Sequence, residues 1–227
     1  MNPKTLVRAR RDLLAYLPLA VTTTVAEMTG HDRSHLVSKL ALAPTLAAGV
    51  LATRDERCPK RTGTLLAALA GSTVGDWFMY RSSHGPAHAE RSQMQRGASA
   101  FAVQQLGLIG LLLHDGARPR RIPSGVAAGT LAALALVDDE EGLPDPVLTG
   151  YGLLLGAMSA LAMGEGGRAG GRRLALGGGL FLLSDAAIIV GGRFARSTRA
   201  QAVSSGVVLS TYTAALALLV HTLREEP

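Results

Sequence analysis

Cysteine and aromatic residues are scarce in this chain of 227 residues, which has one cysteine, Cys58, and only 4% aromatic side chains. A single cysteine excludes an intrachain disulfide and a cysteine-based metal site within one chain. The formal charge of +6 would otherwise suggest a nucleic-acid partner. The basic residues lie between apolar runs, however, and no basic patch is interleaved with aromatics, so we predict no nucleic-acid binding.

Charge is also nearly absent from the apolar runs, which are rich in Ala, Leu, Gly and Val and alternate with short charged loops. This pattern is typical of membrane-spanning helices and differs from the 3.6-residue stripes of a soluble helical protein. The sequence therefore predicts an all-α, polytopic membrane helix bundle with a single integral membrane domain over residues 1–227. The predicted spans are residues 13–29, 36–53, 62–80, 97–113, 123–137, 147–163, 174–190 and 201–223.

The two ends of the predicted bundle differ in basic residues. With the N-terminus in the cytoplasm, the inner segments hold 15 lysines and arginines and the outer loops hold seven. Because positive charge favours the cytoplasmic side, we predict a multi-pass protein of the cell membrane with both termini in the cytoplasm. The first span follows a basic start but lacks a signal-peptide cleavage site, so we expect it to be retained. The oligomeric state is not determined by the sequence.

Two aspartates interrupt the apolar runs, Asp76 in the third span and Asp185 in the seventh. A carboxylate in hydrocarbon costs about 2.5–3.5 kcal/mol on insertion scales, so such residues usually face a protein interior and mark a functional site. In the predicted topology both aspartates lie in the outer half of the bilayer. The remaining polar candidates lie in that half or near mid-depth, and they are Glu27, Lys39, Gln105, Tyr151 and Tyr212. We therefore predict one polar cavity that opens toward the outer leaflet.

These residue types favour acid–base chemistry. Lys39 is the only lysine or arginine within a predicted span and is expected to pair with Asp76 or Asp185. Two carboxylates in an apolar pocket can hold different protonation states, so that one donates a proton and the other accepts one. The alternative is a buried ion pair that only fixes helix register, although such pairs stabilise a fold poorly.

Other catalytic arrangements find little support in the sequence. The histidines lie in loops or at span ends, and only His35, near Lys39, is retained as a candidate. We therefore predict no metal site and no cofactor. No Gly-x-Ser-x-Gly motif occurs, and Ser184 precedes Asp185 without a histidine base, so a Ser-His-Asp hydrolase is not expected.

Several different short motifs occur along the chain in a fixed order. Gly75 and Asp76 end an Ala/Leu/Gly span, and residues 178–185 have the form Gly-x-Leu-Phe-Leu-x-Ser-Asp. Further elements are Lys39-Leu40-Ala41, the set Gly97, Phe101 and Gln105, the Tyr-plus-Met stretch of residues 151–158, and Tyr212. Together these motifs resemble the YhhN family of lysoplasmalogenase-like membrane proteins. The family pattern has proline at Leu40 and histidine at Gln105.

The resemblance implies hydrolysis of the vinyl ether bond of lysoplasmalogen, which gives an aldehyde and a glycerophospho-head group. The expected partner is then a lysophospholipid substrate in the bilayer. We predict Asp76 and Asp185 as catalytic residues without a metal. Contact with the substrate is predicted for Lys39, Gln105, Tyr151 and Tyr212, and a supporting role for Gly75, Ser184 and Glu27.

Three alternatives to this activity remain open. The same residues would suit a hydrolase of another ether, ester or amide lipid. Asp, Lys and Gly-rich helices also build transporters of protons, small molecules or lipids. The third alternative is a structural helix bundle that is held together by buried ion pairs.

Overall fold

Eight α-helices make up nearly all of the described chain, which in this computed structural model comprises residues 11–137, 145–167 and 171–225. No strand occurs among these residues, so the predicted all-α class is confirmed. Short 3-10 turns lie at Arg54–Glu56, Ala87–Ala89 and Glu165–Gly167. The helices are α1 (Arg11–Met28), α2 (Asp32–Ala52), α3 (Pro59–His84), α4 (Glu90–His114), α5 (Arg121–Val137), α6 (Pro146–Gly164), α7 (Gly171–Phe194) and α8 (Thr198–Arg224).

The helices extend beyond the predicted spans. Helix α4 begins at Glu90 and not at residue 97, and α3 continues to His84, which the sequence analysis placed in a loop. Hydropathy marks only the apolar part of a helix, whereas backbone hydrogen bonding continues into the polar ends. Within the described ranges, five helices are long and apolar enough to cross a membrane, namely α2, α4, α6, α7 and α8, and α5 is apolar but shorter.

Seven of the described helices form a ring. Contacts run in the order α1, α2, α3, α4, α6, α7 and α8, and α8 returns to α1. Helix α5 lies outside the ring against α6 and α7, while α8 also reaches α2 and α3. Because the connections are short, successive helices alternate in direction. We call the end of the ring at residues 29–31, 85–89 and 195–197 the upper end, and that at residues 53–58 and 115–120 the lower end.

Apolar side chains occupy both the inside and the outside of this ring. The inner core lies mainly between mid-depth and the lower end and includes Leu46, Leu65, Leu69, Leu108, Leu112, Met158, Leu216 and Leu219. Large apolar residues are also exposed on the outer surface, among them Leu14, Val21, Leu106, Ile122, Leu136, Leu153 and Leu176. A soluble monomer rarely exposes apolar patches this extensive, whereas lipid tails accept them.

The lower end holds a second set of buried charges. Arg224 donates to Asp12 at 2.7 Å and so joins the last helix to the first. Arg61 makes two hydrogen bonds with Asp115, at 2.6 and 2.7 Å, which join α3 to the end of α4. Arg61 and Arg224 are among the 15 inner lysines and arginines that were predicted to lie in segments between the spans and to set topology. They are instead buried, because the helices continue past the predicted spans and pack at these positions.

Glycine permits close approach between α3 and α4. A Cβ atom at Gly71 would lie 2.7 Å from the carbonyl oxygen of Ala100, which is too close for any side chain. The contact is with backbone, so a rotamer change cannot relieve it. Gly110 on α4, in contrast, has no neighbour within 4 Å of such an atom.

We predict that Gly71→Ala lowers the free energy of unfolding by about 1–3 kcal/mol, since the added methyl group forces α3 and α4 apart. The matched variant Gly110→Ala should be neutral or stabilising by up to about 1 kcal/mol, because it only improves helix propensity. Thermal unfolding of both purified variants in the same detergent measures the difference. Equal stability of the two variants would contradict the close packing described above.

Candidate active site

Asp76 contacts two polar side chains inside the ring, and a third orients one of them. Its side chain is only 3% exposed, and its Oδ1 atom lies 3.7 Å from Nζ of Lys39 on α2. The Tyr212 hydroxyl of α8 donates to Oδ2 at 2.9 Å. Ser72 lies one turn before Asp76 on the same face of α3, and its Oγ is 2.6 Å from the Tyr212 oxygen. Because the single Tyr212 proton is given to Asp76, Ser72 is the donor in this second bond.

Asp185 has a simpler environment on the other side of the ring. Its Oδ2 atom accepts a hydrogen bond of 2.6 Å from the Tyr151 hydroxyl of α6, and both residues are half-buried. In the described part of the chain, no lysine or arginine pairs with Asp185. The neighbouring Ser184 donates to the carbonyl oxygen of Val208 at 3.0 Å, which ties α7 to α8 and fixes the direction of Asp185.

An aromatic side chain connects the two Asp–Tyr pairs. The Phe101 ring of α4 lies with its centroid 6.3 Å from that of Tyr151 and 6.2 Å from that of Tyr212. Phe181 contacts Tyr212 edge to face at 5.7 Å. Four of the nine aromatic residues therefore form one cluster, which includes the tyrosine partners of both carboxylates. Such rings can stabilise a cation through their negative faces.

Gly75 makes this position of Phe101 possible. A Cβ atom at Gly75 would lie 2.7 Å from the Phe101 ring, so any larger residue would displace the ring from between the tyrosines. The supporting role predicted for Gly75 is therefore steric: the absence of a side chain leaves room for the Phe101 ring between Tyr151 and Tyr212.

Each helix of the ring contributes a polar side chain to the interior. Tyr16, which was not among the predicted site residues, donates its hydroxyl to the carbonyl oxygen of Thr213 at 2.8 Å and is close enough to Asp76 and Tyr212 to interact with them electrostatically. From α1 to α8, with α5 outside the ring, the seven side chains are Tyr16, Lys39, Asp76, Gln105, Tyr151, Asp185 and Tyr212. The site is thus formed by the whole ring, and no single helix pair defines it.

Gln105 occupies a buried position beside the Tyr151 hydroxyl. Although the amide is close to Tyr151, neither of its polar atoms makes a hydrogen bond of normal geometry with a described residue, and the same is true of Gln104. An unpaired buried polar group costs about 1–3 kcal/mol, so such groups are rare unless they serve a purpose. The Gln105 amide can donate to, and accept from, a polar group placed next to Tyr151.

A polar contact at the upper end aligns α4 with α6. The Gln95 side chain donates to Asp145 at 2.7 Å, and Asp145 also caps α6 by accepting from the backbone N–H of Val147. Hydrogen bonds from Gln95, from the first turn of α6 and from Arg91 hold the pKa of Asp145 below its ordinary value. This contact fixes Tyr151 of α6 opposite the α4 residues of the site.

Most of the predicted site residues have polar partners inside the ring, but Glu27 lies apart from the two aspartates. Lys39 pairs with Asp76 and not with Asp185. Glu27 lies outside the two-carboxylate arrangement, at 3.4 Å from His35 near the upper end. Ser72 and Phe181 were missed as site residues, although each is one turn from a predicted aspartate. Tyr16 gave a weaker signal, a lone tyrosine in an apolar run.

Metal ligands and surface grooves do not add to this site. The described residues contain no group of three or more His, Cys, Asp or Glu side chains that could hold a metal ion. A groove of about 580 Å³ lies between α7 and α8 near the upper end, lined by residues such as Val190, Phe194 and Val203. Neither Asp76 nor Asp185 lines it.

The fold and the site define an all-helical, multi-pass membrane protein with two tyrosine-bound aspartates in its interior. The chain belongs to the YhhN family, whose family model matches residues 34–223 and so covers most of the sequence. The resemblance drawn from the motifs is thereby confirmed. No curated protein and no solved structure matches the chain.

Proposed function

We propose that this protein is a membrane-embedded hydrolase that cleaves the vinyl ether bond of lysoplasmalogen by Asp/Asp acid–base chemistry. The observation that carries the proposal is that Asp76 and Asp185 are each bound by a tyrosine hydroxyl and that both tyrosines contact the same Phe101 ring. Family membership and the resemblance of its motifs support the reaction class. The reaction needs one group that gives a proton to carbon and one that takes a proton from water.

The different partners of the two aspartates support a division of roles. Asp76 lies beside the Lys39 ammonium and is assigned as the carboxylate. Among the described residues, Asp185 has only the Tyr151 hydroxyl as a side-chain partner, and we assign it as the acid, with its proton on Oδ1 because Oδ2 accepts from Tyr151. The aromatic rings beside them suit the cation that forms during the reaction.

The proposed reaction proceeds in three proton-balanced steps. Asp185 gives its proton to the outer vinyl carbon, whose double bond supplies the electrons of the new C–H bond, and an oxocarbenium ion forms. Water adds to this cation and gives a proton to Asp76, which yields a hemiacetal. The Asp185 carboxylate then takes the hemiacetal hydroxyl proton while Asp76 protonates the departing glycerol oxygen. The aldehyde leaves, and both aspartates regain their starting protonation.

Substrate placement follows from the depth of the site. Lys39 lies about two turns below the upper end, so the lysophospholipid phosphate can approach its ammonium while the alkenyl chain extends toward the apolar core. Gln105 is positioned to hold the attacking water next to Tyr151. The substrate enters from the bilayer, and the scheme requires no metal and no further cofactor.

We expect Asp76→Asn and Asp185→Asn each to lower aldehyde release by about 10²–10⁴-fold, because each removes one proton-transfer group. The assay uses purified protein in detergent with lysoplasmenylcholine and lysoplasmenylethanolamine, with and without a chelator. Asp55→Asn is the matched control, since the Asp55 side chain is 95% exposed and lies at the lower end, away from the site in the upper half.

Each result of that assay has a definite meaning. Release that survives the chelator and is lost in both site variants supports the scheme. Full activity in either site variant would refute the two-carboxylate mechanism. If the wild type releases no aldehyde, another lipid substrate or proton-coupled transport becomes the better hypothesis.

Gln105→Leu should change the partition of the reaction between water and an added alcohol. With methanol in the assay, the oxocarbenium ion is captured by water to give aldehyde or by methanol to give a mixed acetal. Loss of one hydrogen bond to the attacking water should raise the acetal-to-aldehyde ratio by about tenfold. Mass spectrometry of the lipid products measures this ratio without reference to the total rate.

Gln104→Leu is the control for that experiment, because it removes a neighbouring buried amide that has no assigned contact with Tyr151. Its acetal-to-aldehyde ratio should equal that of the wild type. An unchanged ratio in Gln105→Leu would mean that Gln105 does not position the water.

The proposed location is the cell membrane, with both termini in the cytoplasm and the upper end outside. The excess of lysine and arginine at the lower end supports this orientation. The single cysteine, Cys58, is exposed at the lower end and therefore provides a natural reporter.

Cys58 should resist a membrane-impermeant maleimide in spheroplasts of an expression host and should react after permeabilisation, since it faces the cytoplasm. The matched control combines Cys58→Ser with Ser83→Cys, which places the only thiol at an exposed position of the upper end. That thiol should react in intact spheroplasts. The opposite labelling pattern would reverse the proposed orientation.

A further inference from the structure

A line of titratable side chains runs from the upper surface to Asp76 between α1, α2 and α3. The proposed reaction does not use these groups beyond Lys39. The side chains at the upper end of the line are the most exposed, 30% at Glu27 and 31% at His84, whereas His35, Lys39 and Asp76 are 4%, 14% and 3% exposed. The line therefore joins water to a carboxylate that is otherwise enclosed.

His35 is the buried middle of this line. Its Nδ1 lies 3.4 Å from the Glu27 carboxylate and 3.1 Å from the carbonyl oxygen of Thr23, both on α1. Because a carbonyl only accepts, Nδ1 carries a proton toward α1. The neutral ring can then gain a further proton only on Nε2, and histidine is well suited to pass protons near neutral pH.

The other face of His35 is covered by α3. The Tyr80 ring stacks on His35 at 6.2 Å and on His84 at 4.2 Å. His84 in turn lies 3.5 Å from the half-exposed carboxylate of Asp32. The titratable and charged groups that face His35 are thus Glu27 from α1, Lys39 from α2, and Tyr80 and His84 from α3.

Lys39 completes the connection. It lies one turn after His35 on the same face of α2, and its ammonium is 3.7 Å from Asp76. If Lys39 only fixed the helix register through its ion pair with Asp76, the series that continues from it through His35 to the half-exposed Glu27 would have no role. The order of groups matches a path for protons, with each member able to give and to accept one.

We propose that Asp76 exchanges protons with water at the upper end through Lys39, His35 and His84, with Glu27 beside His35. Lys39 gives a proton to the Asp76 carboxylate and becomes a neutral amine. The protonated ring of His35 then gives its Nε2 proton to Lys39 and becomes the neutral ring with Nδ1–H toward α1. Nε2 regains a proton from His84, which takes one from water, while the Glu27 carboxylate beside Nδ1 stabilises the protonated ring. One proton leaves the water, one arrives at Asp76, and the intermediate groups return to their starting states. This path does not depend on the identity of the substrate.

The test follows Asp76 directly by rapid-mixing infrared spectroscopy of the purified protein after a jump in pH. The band of the protonated carboxyl group is assigned to Asp76 by its loss in Asp76→Asn. His35→Gln keeps an N–H donor for Thr23 but cannot carry a proton. Its rate of Asp76 protonation should fall at least tenfold, while the amplitude of the band at equilibrium stays the same.

The controls separate a proton path from a structural role. His114→Gln replaces an exposed histidine at the lower end and should leave the rate unchanged. A purely structural His35 would lower the unfolding temperature of His35→Gln without slowing protonation, and that result would overturn the proposal. If His35→Gln does not fold, the double variant Glu27→Gln and His84→Gln decides. A slowed rate in the double variant supports the path, and a wild-type rate refutes it.

Discussion

The interaction on which this structure most depends is the enclosure of Asp76 within an apolar ring of helices. A carboxylate at that depth is costly unless other groups solvate it. The Tyr212 hydroxyl and the Lys39 ammonium do so from two different helices, and Ser72 orients Tyr212. Since these partners come from α2, α3 and α8, the helices must adopt one relative arrangement for Asp76 to be satisfied. The ring is therefore specified by its polar interior as well as by its apolar core.

The two ends of the ring use charge differently. At the lower end, Arg61 and Arg224 each donate to an aspartate through short hydrogen bonds, which fixes the helix ends. In the upper half, Lys39 contacts Asp76 at the longer distance of 3.7 Å, and among the described residues Asp185 has only a tyrosine as a side-chain partner. Looser polar contacts suit groups that must change protonation state or meet a substrate. The lower end therefore holds the helices in a fixed arrangement, while the polar groups of the upper half keep free hydrogen-bonding capacity for the reaction.

Although aromatic residues are few in this sequence, four of them form a cluster beside the two aspartates. Phe101, Tyr151, Tyr212 and Phe181 belong to four different helices, and Gly75 leaves room for the Phe101 ring. This cluster contacts the tyrosine partners of both carboxylates. The proposed hydrolysis and the proposed proton path share Asp76 and Lys39, but the hydrolysis also needs Asp185 and the path also needs His35. Either proposal can therefore fail without the other.

The sequence by itself determined the all-helical membrane class, the approximate position of all eight helices and the family, because hydropathy and motif order are local properties. It also singled out Asp76 and Asp185, since a charge inside an apolar run is visible without a fold. Only the tertiary structure decided that Lys39 pairs with Asp76, that Glu27 contacts His35, and that Tyr16 and Ser72 join the site. Such partners depend on which helices are neighbours and how each is rotated. Both are set by packing between distant segments, such as the backbone contact at Gly71, and not by the pattern within any one of them.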